Sequence, residues 1–375
     1  MADRVELIVG GKSYSGWKDV AITRAIDAST GSFSLSLTER WAGQDRPWPI
    51  VPGNNCEIRL GGDVVITGYV DVWKPSYSKD DHSINVQGRD RSADIVDCSA
   101  VHSPDEWKNI NVLQLANILC APFGVPVRAE VDVGAAFKNP PVKLQQGETV
   151  FEALDRYCRQ RKLLLMPDGQ GGILITRAGQ QRAEVALVQG GQGLDGVNIK
   201  EASGSIDFSQ RFSRYTVRAQ SGYSYETDGA GESHIEAEVI DTSVGRHRPL
   251  LLVAETGGTT ASARERATWE ANVRIGRSAS IDITVAGWRQ RPGGALWKPN
   301  LLVPTKSPWL RINGDMLIRQ VNYGMDKSGG QVCQLSLVSP QAFAPEPPSP
   351  AKTAKNPWAA DSDDTEWSGF PAGAE

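Results

Sequence analysis

Two stretches of this chain, one early and one late, run through the same events in the same order. The first reads Ser32-Phe33-Ser34-Leu35-Ser36-Leu37, then Trp41, then Trp48-Pro49, then Gly62-Asp63-Val64-Val65-Ile66. The second reads Ser278-Ala279-Ser280-Ile281-Asp282-Ile283, then Trp288, then Trp297-Lys298-Pro299, then Gly314-Asp315-Met316-Leu317-Ile318. Both continue through a tyrosine (Tyr69 or Tyr323) and a polar loop into another alternating run. Apolar and polar residues alternating with a period of two mark a strand with one buried face. The chain is thereby constrained to carry one kind of small β module twice. Tripled around an axis, two like modules per chain make a ring with six similar positions.

The rest of the chain falls around these modules. With 375 residues it exceeds what one core organises, so several domains are expected. The 38 glycines and 22 prolines supply turns for many short strands. The reading is an α+β chain, mainly β, in which two similar small β-barrel-like domains flank an α+β domain. The expected segments are 1–91 for the first β-barrel-like domain and 92–200 for the α+β middle domain. A second β-barrel-like domain with an inserted helix takes 201–340, and a Pro-rich acidic tail takes 341–375.

Local signals support each segment. Val5 to Val9, Val20 to Asp27, Cys56 to Leu60, Val64 to Val72 and Ser83 to Gly88 read as strands. Ser92 to Cys98 reads as a short helix. Val112, Leu115, Ala116 and Leu119 fall at helical spacing, and Pro122 and Gly124 stop that helix. Thr149-x-x-Glu152 is a capping box for a helix burying Val150, Phe151, Leu154, Tyr157 and Cys158. Leu163 to Met166 and Ile173 to Thr176 form a hairpin across Asp168-Gly169-Gln170-Gly171-Gly172. Leu250 to Ala254 is an apolar strand, and Ser262-x-x-Glu265 is expected to cap one more helix.

Charge and motifs exclude several chemistries. A net charge of −4 argues against a surface built to grip DNA phosphates, though not against a conduit through which DNA passes unbound. Five widely spaced cysteines with no C-x-x-C fit reduced thiols better than disulfides or a zinc site. The first residues lack an apolar signal core, and no apolar run is long enough to span a bilayer. Gly191-x-Gly193-x-x-Gly196 matches a dinucleotide fingerprint, but a strand rather than a helix follows it, so it reads as a linker. Gly11-Lys12-Ser13 lacks the first glycine of a P-loop and reads as a hairpin turn. The histidines His82, His102, His234 and His247 show no metal spacing. Glu152 is explained as a cap partner. The run Arg156, Arg159, Arg161 and Lys162 suits a helix C-terminus. No catalytic, cofactor or metal residue is expected, and no cofactor.

Eleven tryptophans exceed the eight phenylalanines and eight tyrosines. Tryptophan is costly to leave exposed and enriched at interface hot spots. The candidate subunit or partner interface is Trp41, Trp48, Asp63, Trp288, Trp297, Asp315, Trp358 and Trp367. The last two lie in the tail, where seven prolines fall from Pro340 onward and Asp361-Ser362-Asp363-Asp364 follows. Such composition reads as disordered in isolation, with the tryptophans as anchors for a partner.

Several runs resemble a known family. They are Ile22-Thr23-Arg24-Ala25-Ile26-Asp27, Ile66-Thr67-Gly68-Tyr69-Val70-Asp71, Ser83-Ile84-Asn85-Val86-Gln87-Gly88-Arg89 and Ala93-Asp94-Ile95-Val96-Asp97-Cys98-Ser99. Gly147-Glu148-Thr149-Val150-Phe151-Glu152-Ala153-Leu154, Leu163-Leu164-Leu165 and Asp168-Gly169 add to them. Together they resemble the late-control, gene D type tail proteins, and within these the central baseplate hubs of Mu-like contractile-tailed phages. The resemblance covers roughly 3 to 340 and leaves the tail outside. It implies a homotrimeric ring with a channel, located in the virion tail baseplate and assembled in the bacterial cytoplasm. Its implied partners are the tail tube protein, the trimeric spike protein and other baseplate proteins, with DNA passing through without specific binding. Two other functions remain to be weighed. A tail-associated peptidoglycan hydrolase would give a lysis band dependent on Glu148 or Glu152, and a carbohydrate-binding receptor protein would bind glycans through tryptophan faces.

Overall fold

The computed structural model describes residues 3–38, 50–77, 82–190, 197–219, 235–253, 259–325 and 330–344. The first part of the chain is all strand: β1 (Val5–Val9), β2 (Lys12–Tyr14), β3 (Asp19–Ala25), β4 (Ser32–Thr38), β5 (Asn55–Leu60), β6 (Asp63–Tyr77) and β7 (His82–Asp90). A small mixed unit follows with α1 (Ala93–Asp97), β8 (Glu106–Trp107), α2 (Val112–Cys120), β9 (Val127–Ala129), β10 (Val142–Lys143), α3 (Val150–Gln160), β11 (Leu164–Pro167) and β12 (Ile173–Thr176). The chain then returns to strands with β13 (Gln181–Arg182), β14 (Leu187–Val188), β15 (Val197–Ile206), β16 (Arg214–Ala219), β17 (Ile235–Ile240) and β18 (Pro249–Val253). Helix α4 (Thr260–Arg277) leads into β19 (Ala279–Ala286), β20 (Leu301–Ser307), β21 (Ile312–Met325) and β22 (Gln331–Val338).

Fourteen strands form one sheet in the order β13-β20-β14-β15-β19-β22-β21-β3-β4-β7-β6-β5-β1-β2. The internal echo of the sequence is visible in that order. β4-β7-β6-β5 is an antiparallel set of neighbours, and β19-β22-β21-β20 repeats it. The long strand of each set carries a β-bulge, between Val70 and Val72 in β6 and between Ile318 and Gln320 in β21. One part of the echo is displaced. Asp63 opens β6 beside the Gly61-Gly62 tip, whereas Gly314 and Asp315 lie inside β21, opposite Thr305 and Pro304. The second hairpin runs on past them to a wider tip at residues 308–311, so matching Gly-Asp letters do not occupy matching places.

The two β regions meet strand to strand. β21 pairs antiparallel with β3, from Gln320↔Ala25 to Gly324↔Ala21. Their apolar faces close one shared core. Leu7, Ile22, Leu35, Ile58 and Val86 enter from the first region, and Ile283, Trp288, Trp297, Tyr323 and Leu335 from the second. Each is an inward residue of an alternating strand or lies in the loop after one, so the core follows from the period-two pattern.

Outside this sheet stand two smaller bodies. In the mixed unit, α2 and α3 pack over the strand order β11-β12-β9, with Leu115, Leu119, Leu154, Tyr157 and Ile175 buried among them. The expected capping box of α3 is present: Thr149 Oγ1 accepts from Glu152 N at 3.2 Å, and Glu152 Oε2 accepts from Thr149 N at 2.9 Å. Replacing Thr149 with alanine should lower stability by about 1 kcal/mol in urea unfolding, the usual loss of an N-cap.

The second body is the sheet β17-β16-β18 under α4. Ala263 and Ala267 let the helix lie close over Val217, Ala219, Ile235 and Ala237. This helix begins earlier than the sequence suggested. Thr259 is the N-cap and Ser262 its N3 partner, so Ser262 and Glu265 fall inside the helix. Serine can accept from the cap N–H as glutamate does, so the box here is Thr259-x-x-Ser262 and carries no glutamate.

Candidate assembly surface

The mixed unit is fixed to the main sheet by its β11–β12 hairpin tip. Asp168 shapes that tip, its Oδ1 accepting from Gln170 N at 2.7 Å and Gly172 N at 2.9 Å. Gly169 has φ +80, and a Cβ there would stand 2.6 Å from the Arg24 guanidinium carbon. Glycine is therefore required on two counts, backbone and space. Arg24 donates from Nη2 to Asp168 O at 2.8 Å and lies beside the fully buried Asp90. Burial pushes the Asp90 carboxyl up to about 6, against the pull of Ser92 N–H and Arg24. These groups all serve the joint between the two bodies.

A second charged joint ties the two β regions together. Arg289, in the loop after β19, pairs with Asp3 at 2.8 Å and Asp63 at 2.7 Å. It also donates to the carbonyls of Leu60 and Gly61 at the β5–β6 tip. Arg182 of β13 pairs with Asp315 of β21 at 2.6 Å.

Four features face outward without cover from the described residues. The β20–β21 tip carries Trp309, which is 84% exposed. Gln189 Oε1 steadies that turn, accepting from Ser307 Oγ at 2.7 Å and Trp309 N at 3.4 Å. Strand β15 is exposed from Glu201 to Ile206, and the end of β6 from Lys74 to Tyr77. Strand β18 shows Leu251 and Val253 at the edge of its sheet. Exposed apolar edges of this kind are normally covered in the working assembly.

The reactive side chains are tied up in structure. Glu148 accepts from Gln145 N and pairs with Arg156 at 2.8 Å, and Glu152 caps α3. Arg159 pairs with Asp155, and the Arg161 guanidinium lies 4.3 Å from the Phe137 ring centroid. Burial pushes the thiols of Cys56, Cys120 and Cys158 up to about 12, which removes their nucleophilic form at neutral pH. Among the described residues no three His, Cys, Asp or Glu side chains group as a metal site, and no helix is long and apolar enough to cross a membrane.

Comparison with known proteins places this arrangement. Residues 4–90 match the N-terminal domain of the Mu phage baseplate assembly protein GpP-like family. Residues 92–177 match the second domain of the baseplate hub protein gp44-like family. Residues 259–346 match the fourth domain of GpP. The chain is 33% identical to baseplate hub protein gp44 of Escherichia phage Mu over 355 residues, 92% of this chain and 89% of that protein. It belongs to the Mu-type baseplate hub family.

Two solved structures resemble the hub along its length. One is the prophage MuSo2 43 kDa tail protein from Shewanella oneidensis, with 37% identity and a TM-score of 0.78 over 92% of this chain and all of that one. The other is a tail protein from Neisseria meningitidis MC58, with 22% identity and a TM-score of 0.74, covering 92% of this chain and 99% of that one. The second likeness shows the fold alone.

The interface residues expected from the sequence divide three ways in the hub. Trp288 and Trp297 are 1% and 0% exposed inside the shared core, so neither can meet a partner, which corrects their assignment as contacts. Both are held from within: Trp288 Nε1 donates to Gly324 O at 3.0 Å, and the backbone carbonyl of Trp297 accepts from Tyr323 Oη. Asp63 and Asp315 lie at the surface within the ion pairs to Arg289 and Arg182. Trp41, Trp48, Trp358 and Trp367 fall outside the described residues. Trp309 was overlooked. The signal for it was Ser307-Pro308-Trp309-Leu310, a bulky aromatic in a turn between two alternating strands.

Proposed function

We propose that the hub works as a closed ring of three copies, with the tail tube on one face, the trimeric spike on the other, and a bore through which DNA passes without being bound. Other baseplate proteins attach around it, and assembly takes place in the bacterial cytoplasm. The carrying observation is the strand order β4-β7-β6-β5 repeated as β19-β22-β21-β20 within one chain. Three such chains offer six like positions, which suits the junction of a sixfold tube with a threefold spike. In this reading each half is a barrel-like module, and strand pairing supports it in the second half. In the second half β20 pairs with both β21 and β14, and β14 pairs with β15.

In this reading the contacts are made by exposed strand edges, by Trp309, and by Trp41, Trp48, Trp358 and Trp367, with Asp63 and Asp315 at their margins. The role is mechanical, with no reaction centre. Multi-angle light scattering of the purified full chain at increasing concentration should give three copies per particle. A mass that stays at one copy throughout would remove the ring from consideration.

A further inference from the structure

We infer that the outer edge of β6, from Val72 to Ser76, adds antiparallel to the outer edge of β15, from Glu201 to Ile206, in a neighbouring copy. This rests on the ring reading above and names its joint. The template lies inside the chain. β21 changes neighbour part-way along: Ile312–Leu317 pair with β20, and Gln320–Gly324 pair with β3. Its counterpart β6 pairs with β5 from Asp63 to Tyr69, and Val70 exchanges bonds with the turn at Gly53 and Asn54. Beyond that point no strand adjoins this side among the described residues.

The counterpart of β3 is β15, because β3 pairs with β4 and β15 pairs with β19. β15 meets β14 only at Val197 and Asn198, and further along that side is open among the described residues. Each chain thus holds one made joint, β21–β3, and the two halves of a second. Its own two modules are already joined, so a second copy is the partner that repeats the joint. An open edge of this kind accepts a strand by backbone hydrogen bonds, with side-chain pairs setting the register.

Burial contrasts the made and unmade joints. In the made one, Ile22 of β3 and Val321 and Tyr323 of β21 are all 0% exposed. In the unmade one, every residue from Glu201 to Ile206 is exposed, Ile206 at 73%. Trp73 of β6 is half-buried, with its Nε1 lacking a partner among the described residues.

The register follows from superposing the bulges of β6 and β21. Carried through the β7 and β22 ladders to β4 and β19, it sets Trp73 opposite Ile206, Lys74 opposite Ser205, and Ser76 opposite Ser203. It brings two apolar side chains together across the joint. Pro75, with no N–H to give, falls opposite Gly204.

The test uses the full chain with Cys98→Ser, which removes the exposed native thiol. Lys74→Cys with Ser205→Cys, and separately Ser76→Cys with Ser203→Cys, are oxidised and run on a non-reducing gel beside light scattering of the same samples. The expected result is covalent dimers and trimers, at least tenfold more abundant than from Lys74→Cys with Ala202→Cys, whose second thiol lies on the opposite face. Mixing the two single variants should stop at covalent dimers. Trimers in solution that link neither in this register nor in one shifted by two residues would overturn the strand joint and leave the ring standing. Particles that remain monomeric would overturn both.

Discussion

Trp297→Ala is expected to destabilise the shared core of the main sheet by about 3–5 kcal/mol, the usual range for emptying a buried tryptophan site. The indole is 0% exposed and packs where the two β regions meet. Its backbone carbonyl accepts from Tyr323 Oη, and Tyr323 is also fully buried, so the cavity opens beside a second large side chain that has no room to turn. The loss should appear in thermal and urea unfolding of dilute protein and should not depend on concentration. Trp309→Ala is the contrasting variant. At 84% exposure its removal should change unfolding by less than about 0.5 kcal/mol while weakening self-association. If Trp297→Ala left unfolding unchanged and abolished association, Trp297 would be a contact residue after all and the core described here would be wrong.

These two tryptophans mark how far the sequence could be read. The alternating strands, both β regions, the small mixed unit and the Thr149 capping box were legible because period-two burial and cap chemistry are local properties. The repeated strand order was foreshadowed by the echo of Ser32–Leu37 in Ser278–Ile283. What was not legible was tertiary. Tryptophan next to a strand looks the same whether it turns inward, like Trp288, or outward, like Trp309. Local pattern also cannot separate β16, β17 and β18 from the main sheet, because strand propensity does not say which sheet a strand joins. The pairing of β21 with β3 joins residues at opposite ends of the chain, and no window of sequence contains both.

The joint between the mixed unit and the main sheet gives the second large effect, and it is pH-dependent. Arg24→Ala should cost about 3–5 kcal/mol near pH 8, because it leaves the buried Asp90 carboxylate without its cation and the Asp168 carbonyl without its donor. Asp90 already titrates high, at about 6, since burial outweighs the stabilising Ser92 N–H and Arg24. A carboxyl with a higher pKa folded than unfolded binds its proton more tightly in the fold, so protonation favours folding. The benefit is complete below the unfolded value of about 4 and is lost as pH rises through about 6. Losing Arg24 raises that carboxyl further and shifts the loss of benefit to higher pH. The penalty of Arg24→Ala should therefore shrink markedly from pH 8 to pH 5, as Asp90 becomes neutral in the variant. Adding Asp90→Asn to Arg24→Ala should recover much of the stability at pH 8, since it removes the stranded charge while keeping an oxygen for Ser92 N–H. Urea midpoints of the two single variants and the double variant at both pH values close the cycle. An Arg24→Ala penalty equal at pH 5 and pH 8 would show that packing around the guanidinium, and not the Asp90 charge, holds the joint.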